Sequence, residues 1–118
     1  MAATGKIRTR SQQWAERAFE RVTRRAGTAT KEYVSFTKSF PALIHTCGLV
    51  QALAFAQAKD RDDLLEDLAN VLDKPKDHLM SESREADTVA YLRLSRDALA
   101  AAGWLKRYVE ALLEDKES

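Results

Sequence analysis

Five arginines recur along the first helical segment at positions that would lie on one side of a helix. Arg10, Arg17, Arg21 and Arg24 follow one another at intervals of seven, four and three residues, which confines them to about 60° of arc. Arg25 widens this row. Guanidinium groups bind phosphate oxygens through paired hydrogen bonds, so the row predicts contact with a polyanion. Nothing in it is arranged to distinguish bases, so we expect binding that is independent of sequence.

The same segment contains two glutamates that allow another interpretation. Glu20 lies three residues after Arg17 and four before Arg24, so part of the arginine row could be paired within the helix. The alternative hypothesis is therefore a helical adaptor that binds other proteins and does not contact nucleic acid.

No group of residues has the spacing of a metal site or a catalytic centre. His45 and Cys47 are two residues apart, so on a helix they point in nearly opposite directions and cannot share a metal; we expect both to be packed in the core. The carboxylates between residues 60 and 67 lack the pattern of a calcium loop and are explained by helix capping and solvation. The glycines do not cluster into a phosphate loop. We therefore expect a protein that is not an enzyme and holds no metal or cofactor.

The net charge of +1 conceals an uneven distribution along the chain. Residues 1–38 contain nine Lys or Arg and three Glu, whereas residues 39–118 contain ten basic and fifteen acidic residues. A basic segment on an otherwise acidic protein is typical of a surface that meets a polyanion, although two oppositely charged halves packed together would give the same totals. The single cysteine and a basic N-terminal arm (1–10) without a following apolar run favour a cytoplasmic protein.

The segments that position these residues have helical periodicity throughout. The 118 residues suffice for one domain, 1–118, with one core. Apolar residues predict a first helix from Ser11 to Ala26 and a second from Thr28 or Thr30 to Phe40, and we expect a break or a kink in the helical path at Pro41. The uncharged stretch that follows predicts a central buried helix near residues 41–58, and not a membrane span.

Further helices are expected in the second half of the chain. One ends before Pro75, residues 73–82 form a loop, a short helix stops near Leu94, and the longest helix begins at Ser95. No run alternates apolar and polar residues as a half-buried strand would. The sequence therefore predicts an all-α fold, a compact bundle of five or six helices.

The run from Tyr33 to Phe55, YVSFTKSFPALIHTCGLVQALAF, resembles the hallmark of the small helical subunit of the type III-B CRISPR effector, the RNA-targeting Cmr complex. Its most specific part is the spacing P-x-x-I-x-x-x-G-L-x-Q-A-L-A-F from Pro41 onward. Arg10 to Ala15 and the stretch from Tyr91 to Arg107 resemble the family's N-terminal and C-terminal helices. The resemblance extends over residues 10–113.

This resemblance implies a non-catalytic structural subunit with a role in antiviral defence. In the family several copies stack into an inner filament beside the guide and target RNA, and other subunits cleave the target. The implied partners are guide RNA, target RNA, other Cmr subunits and further copies of the chain itself, with at most weak self-association in isolation and no membrane.

The resemblance also adds candidates for RNA contact. It implies such a role for Lys38 and for Lys106 with Arg107, although spacing alone is equally consistent with Lys106 and Arg107 being solvated cations beside Glu110. The complete predicted RNA-binding set is Arg10, Arg17, Arg21, Arg24, Arg25, Lys38, Lys106 and Arg107.

Overall fold

The computed structural model describes residues 7–113, which form six α-helices. The helices are α1 (Arg10–Arg25), α2 (Lys31–Cys47), α3 (Leu49–Ala58), α4 (Asp62–Val71), α5 (Lys76–Glu85) and α6 (Thr88–Leu112). The predicted all-α bundle is thus confirmed. The predicted N-terminal arm lies mostly outside the described residues, since only its last four positions fall within them.

The longest helix, α6, organises the bundle by packing against both α2 and α1. Helix α1 also contacts α4, and the three ten-residue helices pack on one another beside this framework. The core is formed by fully buried side chains from every helix, among them Val22, Phe40, Leu53, Leu68 and Leu105. Burial of this apolar surface is the main stabilising term for such a fold.

Both ends of α1 follow from local sequence. The Thr9 side chain accepts a hydrogen bond from the Gln12 amide, and the Gln12 side chain accepts one from the Thr9 amide, a reciprocal capping box. After the C-cap residue Ala26, Gly27 adopts a φ of +90°, which a residue with a side chain rarely adopts. The helix therefore ends where the sequence predicts.

The predicted break at Pro41 is wrong. Helix α2 continues through Pro41 to Cys47 and ends at Gly48, whose φ is +88°. An interior proline costs about 3 kcal/mol because a backbone hydrogen bond is lost. The burial of Tyr33, Phe40 and Ile44 on one face of α2 offsets that cost. The stretch near 41–58 is consequently divided between two helices, and its buried positions belong to both.

The second half of the chain also differs from the prediction. Residues 73–82, predicted as a loop, contribute most of α5, which begins after Pro75 and buries Leu79 against its neighbours. The predicted short helix and the last helix are one continuous α6. Asp87 caps it by accepting a hydrogen bond from the Ala90 amide at 2.9 Å, whereas Ser95 lies inside the helix.

Among residues 7–113, no helix combines the length and the apolar character that crossing a bilayer requires.

Candidate functional site

Two of the arginines in the α1 row point into the protein and converge on one carboxylate of α4. Arg21 donates from Nε to Asp67 Oδ1 at 2.9 Å, and Arg25 donates from Nε to Oδ2 at 2.8 Å and from Nη2 to Oδ1 at 3.0 Å. Asp67 is completely buried. The Tyr33 hydroxyl donates a fourth hydrogen bond to Oδ2 at 2.6 Å. These four residues form the Asp67 cluster, which joins α1, α2 and α4.

The electrostatics of the Asp67 cluster are those of a buried, fully compensated charge. Hydrogen bonding to Asp67 raises the pKa of Arg25 further above its usual value, against the opposing effect of burial. Burial, together with the negative charge of Asp67, raises the pKa of Tyr33 above its usual range. Arg25 also lies over the Tyr33 ring, 5.2 Å from its centroid. The two guanidinium groups are thereby held in place as part of the fold.

Sequence reasoning assigned the carboxylates of residues 60–67 to capping and solvation, and it missed the role of Asp67. The sequence nevertheless contained a signal that Asp67 is buried. At 100° per residue Asp67 falls about 40° from Val71 and about 60° from Leu64, at the edge of the apolar face of α4. An aspartate at such a position needs a partner when it is buried.

The remaining arginines of the row have different surroundings. Arg17 donates from Nη1 to the Val71 carbonyl at 3.0 Å, which satisfies an acceptor in the last turn of α4. Arg10 is 65% exposed at its side chain and forms a 3.3 Å ion pair with Asp97. Arg24 is exposed and has no ion-pair partner among residues 7–113. The expected row of free guanidinium groups is therefore wrong for Arg17, Arg21 and Arg25.

The helical pairing that supported the alternative hypothesis also differs from expectation. Within the part of the chain that the structure describes, Glu20 forms no ion pair with Arg17 or Arg24. The arginines of the row that form ion pairs find their carboxylates on α4 and α6, and not within α1.

A cationic groove lies between α2 and α6. It has a volume of about 670 Å³ and contains Lys31 and Lys38 on the α2 side and Lys106 with Glu110 on the α6 side. Ser35 and Ser39 line it between the lysines. This surface, here called the α2/α6 groove, brings together two residues of the predicted RNA-binding set, Lys38 and Lys106. Arg107 is exposed on the adjacent face of α6 and does not line the groove.

A second groove of about 550 Å³ lies on the other side of the same α2 surface. Lys31, Ser35 and Ser39 line both grooves. The other residues of this second groove, here called the aromatic groove, are Glu32, Phe36, Phe55, Lys59 and Arg61. Together the two grooves are lined by five cations and two carboxylates, namely Lys31, Lys38, Lys59, Arg61 and Lys106 with Glu32 and Glu110.

Sequence reasoning did not select Lys31, Lys59 or Arg61. Lys31 is distant in the sequence from Lys59 and Arg61, and only the antiparallel return of α3 beside α2 brings the three to one surface. The spacing Lys31, Ser35, Lys38, Ser39 was the available signal, since it places two cations and two hydroxyls on one side of α2.

The polar residues considered for metal binding do not come together. His45 and Cys47 are both exposed near the end of α2, which corrects the expectation that they are packed in the core. Within residues 7–113, no three His, Cys, Asp or Glu side chains lie close enough to hold a metal ion.

Comparison with known proteins was made on sequence and on structure. Residues 10–112 match the sequence profile of the family described as CRISPR-associated protein (Cas_Cmr5). The chain is 42% identical over 114 residues to the CRISPR system Cmr subunit Cmr5 of Thermus thermophilus, a match that covers 92% of this chain and 100% of that protein. The crystal structure of a CRISPR-associated Cmr5 family protein from Thermus thermophilus superimposes with a TM-score of 0.85 at 42% identity, over 92% of this chain and 100% of that one.

Proposed function

Because the chain belongs to the Cmr5 family of CRISPR-associated proteins, we propose that it is a non-catalytic structural subunit of a cytoplasmic Cmr effector complex in antiviral defence. In this role it binds guide and target RNA without regard to sequence, and it contacts other Cmr subunits and further copies of itself. The observation that carries the RNA contact is the convergence of Lys31, Lys38 and Lys106 at the α2/α6 groove.

The α2/α6 groove has the chemistry of a phosphate-binding surface. Lys31 and Lys38 are seven residues apart on α2, which corresponds to about 10 Å along the helix, so they can reach different phosphates of one strand. Lys106 approaches from the opposite wall. Lysine ammonium groups neutralise phosphates without reading bases, which gives an affinity that falls as salt rises.

The predicted RNA-binding residues divide into two groups on this proposal. Lys38, Lys106, Arg107 and Arg24, with the exposed Arg10, are the cations that contact RNA. Arg17, Arg21 and Arg25 act indirectly, since their hydrogen bonds to Val71 and Asp67 hold α1 against α4.

The acidic surface of α4 and α5 supports contact between copies. Several exposed carboxylates lie there and none lines either groove, among them Asp62, Glu66, Asp77 and Glu85. Acidic residues outnumber basic ones there, although Asp62 is paired with Lys76, and a predominantly acidic surface can meet the basic surface of the next copy without closing a symmetric dimer. Each copy then binds RNA weakly, and the assembly binds tightly because the contacts are linked. We accordingly expect a monomer or weak self-association for the isolated chain.

A double charge reversal tests the RNA contact. In a reconstituted complex, Lys38→Glu with Lys106→Glu should weaken RNA binding and flatten its salt dependence, because phosphate contacts are lost. The matched control is Arg93→Glu with Arg96→Glu, two exposed cations of α6 that line neither groove. Circular dichroism should show the same helix content in all three proteins. Unchanged RNA affinity in the groove variant would contradict the proposal.

The second candidate function is the helical adaptor that binds only proteins. An apolar groove between α2 and α3 favours it, lined by Phe36, Ser39, Ala42, Leu43, Thr46, Cys47 and Phe55. On this hypothesis the same double reversal leaves RNA binding by the complex intact. Leu43→Asp should then abolish incorporation of the chain into the complex, which co-purification measures.

A further inference from the structure

We propose that the aromatic groove binds one unstacked base of a single-stranded RNA, with the base on the ring of Phe55 and the flanking phosphates near Lys31 and Lys59. The inference rests on the proposed function, because it assigns a ligand class to a surface continuous with the α2/α6 groove. It adds a stacking site to a contact that would otherwise involve phosphates alone.

The first observation is an exposed aromatic ring on a rigid support. Phe55 is 44% exposed, whereas Leu49, Leu53 and Ala56 of the same helix are buried. The Phe55 ring stacks on Phe36, with centroids 5.9 Å apart and planes 19° apart. Phe36 in turn contacts the fully buried Phe40 at 5.7 Å. A series of rings therefore leads from the core to the surface and fixes the orientation of Phe55.

The second observation is the charge around this ring. Lys59 places its Nζ over the Phe55 ring, 5.5 Å from the centroid, so this ammonium group moves aside to a flanking phosphate when a base lies on the ring. Lys31 and Arg61 line the same groove, and the single carboxylate among its lining residues is that of Glu32. Arg61 has a rather long ion pair with Asp63, 3.5 Å. An exposed aromatic face surrounded by cations is the arrangement by which proteins hold single-stranded nucleic acid.

The size and the position of the groove agree with this ligand. Its volume of about 550 Å³ lies within the range of small-molecule sites, about 300–1,000 Å³. It shares Lys31, Ser35 and Ser39 with the α2/α6 groove. One strand could therefore pass over this common wall, with phosphates held on one side and a base on the other.

The ligand has to be unpaired RNA and not a duplex. In an A-form helix the bases are stacked on one another, and their faces are inaccessible to a protein ring. Only a single-stranded, splayed base can lie against Phe55. The competing occupant is an acidic peptide with an apolar face, because the apolar groove adjoins the same two rings. The five cations attract either ligand, and the exposed ring of Phe55, held flat against Phe36, favours the one that has planar bases.

Nuclear magnetic resonance on the full-length chain tests the inference, because it detects weak binding. We would titrate the protein with a single-stranded oligoadenylate, with an abasic oligomer of the same length, and with an acidic amphipathic peptide. Oligoadenylate should shift the ring resonances of Phe55 and Phe36, and the abasic oligomer should not. The protein should bind oligoadenylate at least about fivefold more tightly than the abasic strand, which corresponds to the lower end of the free-energy range for base stacking.

Two matched variants make the outcome decisive. Phe55→Leu keeps an apolar side chain but removes the aromatic face, and it should abolish the preference for the base-containing strand. Phe19→Leu alters a ring of similar exposure, 42%, outside both grooves, and it should leave the preference unchanged. Equal binding of both oligomers, with shifts only near Lys38 and Lys106, would overturn the stacking site and leave the proposed function standing.

The two remaining outcomes also contradict the inference. Phe55 shifts caused by the peptide and not by oligoadenylate would assign the groove to a protein partner. No shift with either oligomer would overturn both the stacking site and the RNA contact of the α2/α6 groove.

Discussion

Arg25 and Asp67 are joined by two parallel hydrogen bonds, Nε to Oδ2 at 2.8 Å and Nη2 to Oδ1 at 3.0 Å. This bidentate pair connects α1 to α4, and Arg21 and Tyr33 complete it. Two cations that a sequence pattern assigns to a ligand are thus required by the fold. The cations that line the two grooves lie instead on α2, on α6 and in the connection between α3 and α4.

Replacing Asp67 should destabilise the protein severely. Asp67→Asn leaves Arg21 and Arg25 partly buried without their counter-charge, and the loss of one partner from a buried pair costs about 3–5 kcal/mol. Urea denaturation measures the change in the free energy of unfolding. Asp97→Asn is the control, since it removes only the exposed pair with Arg10 and should cost at most about 1 kcal/mol. Similar stability losses in the two variants would contradict the structural role of the Asp67 cluster.

The same substitution should destabilise the protein at one arginine of α1 and leave its stability nearly unchanged at another. Arg21→Gln removes a charge-assisted hydrogen bond to Asp67 and should destabilise the chain by about 1.5–3 kcal/mol. Arg24→Gln alters an exposed side chain and should change stability by no more than about 0.5 kcal/mol. Thermal denaturation compares the two directly. A larger loss for Arg24→Gln would show that α1 is oriented differently.

The elevated pKa of Tyr33 predicts a loss of stability in alkali. Burial and Asp67 raise this pKa in the folded protein above the unfolded value, so the contribution of Tyr33 is complete below about pH 10 and is lost as the pH rises beyond it. Tyr33→Phe should lower stability at neutral pH and flatten the decline that the wild type shows above about pH 10. Tyr108→Phe, which alters a partly exposed ring beside Trp104, should keep the wild-type slope. Parallel pH profiles for wild type and Tyr33→Phe would refute this account.

Two glycine-to-alanine substitutions should change the stability of the protein in opposite directions. Gly48 has a φ of +88° and a ψ of 160°, a backbone region that only glycine adopts easily, so Gly48→Ala should cost about 1–3 kcal/mol. Gly103 lies inside α6, and an added methyl group there would meet open space. Gly103→Ala should therefore stabilise the chain by about 0.5–1 kcal/mol. Chemical denaturation of both variants checks the signs, and a gain in stability for Gly48→Ala would contradict the φ assigned to the turn.

Much of the fold was predictable because α1, α4 and the end of α6 have strong apolar periodicity, and α1 also ends at a glycine of positive φ. The continuation of α2 through Pro41 and the existence of α5 were not predictable, and each has a physical reason. The cost of the proline is offset by tertiary burial of Tyr33, Phe40 and Ile44, which no local pattern reports. Helix α5 has few apolar residues of its own, and Leu79 packs against other helices.

The candidate site was predictable only in part. Lys38 and Lys106 come from a resemblance to a family, and the structure brings them to one groove. Lys59 and Phe55 reach the neighbouring groove through the return of α3, which spacing along one helix cannot reveal. The compensation of Arg21 and Arg25 depends on an aspartate more than forty residues away in the chain, and periodicity in α1 carries no information about it.

The common wall formed by α2 determines how mutagenesis of this surface can be interpreted. A change at Lys31 perturbs two neighbouring grooves at once, so its phenotype is a sum that cannot be divided between them. Lys106 and Lys59 stand on opposite outer walls, each lining only one groove. Their single and double variants form a thermodynamic cycle, and any coupling energy between them measures whether one ligand spans both grooves.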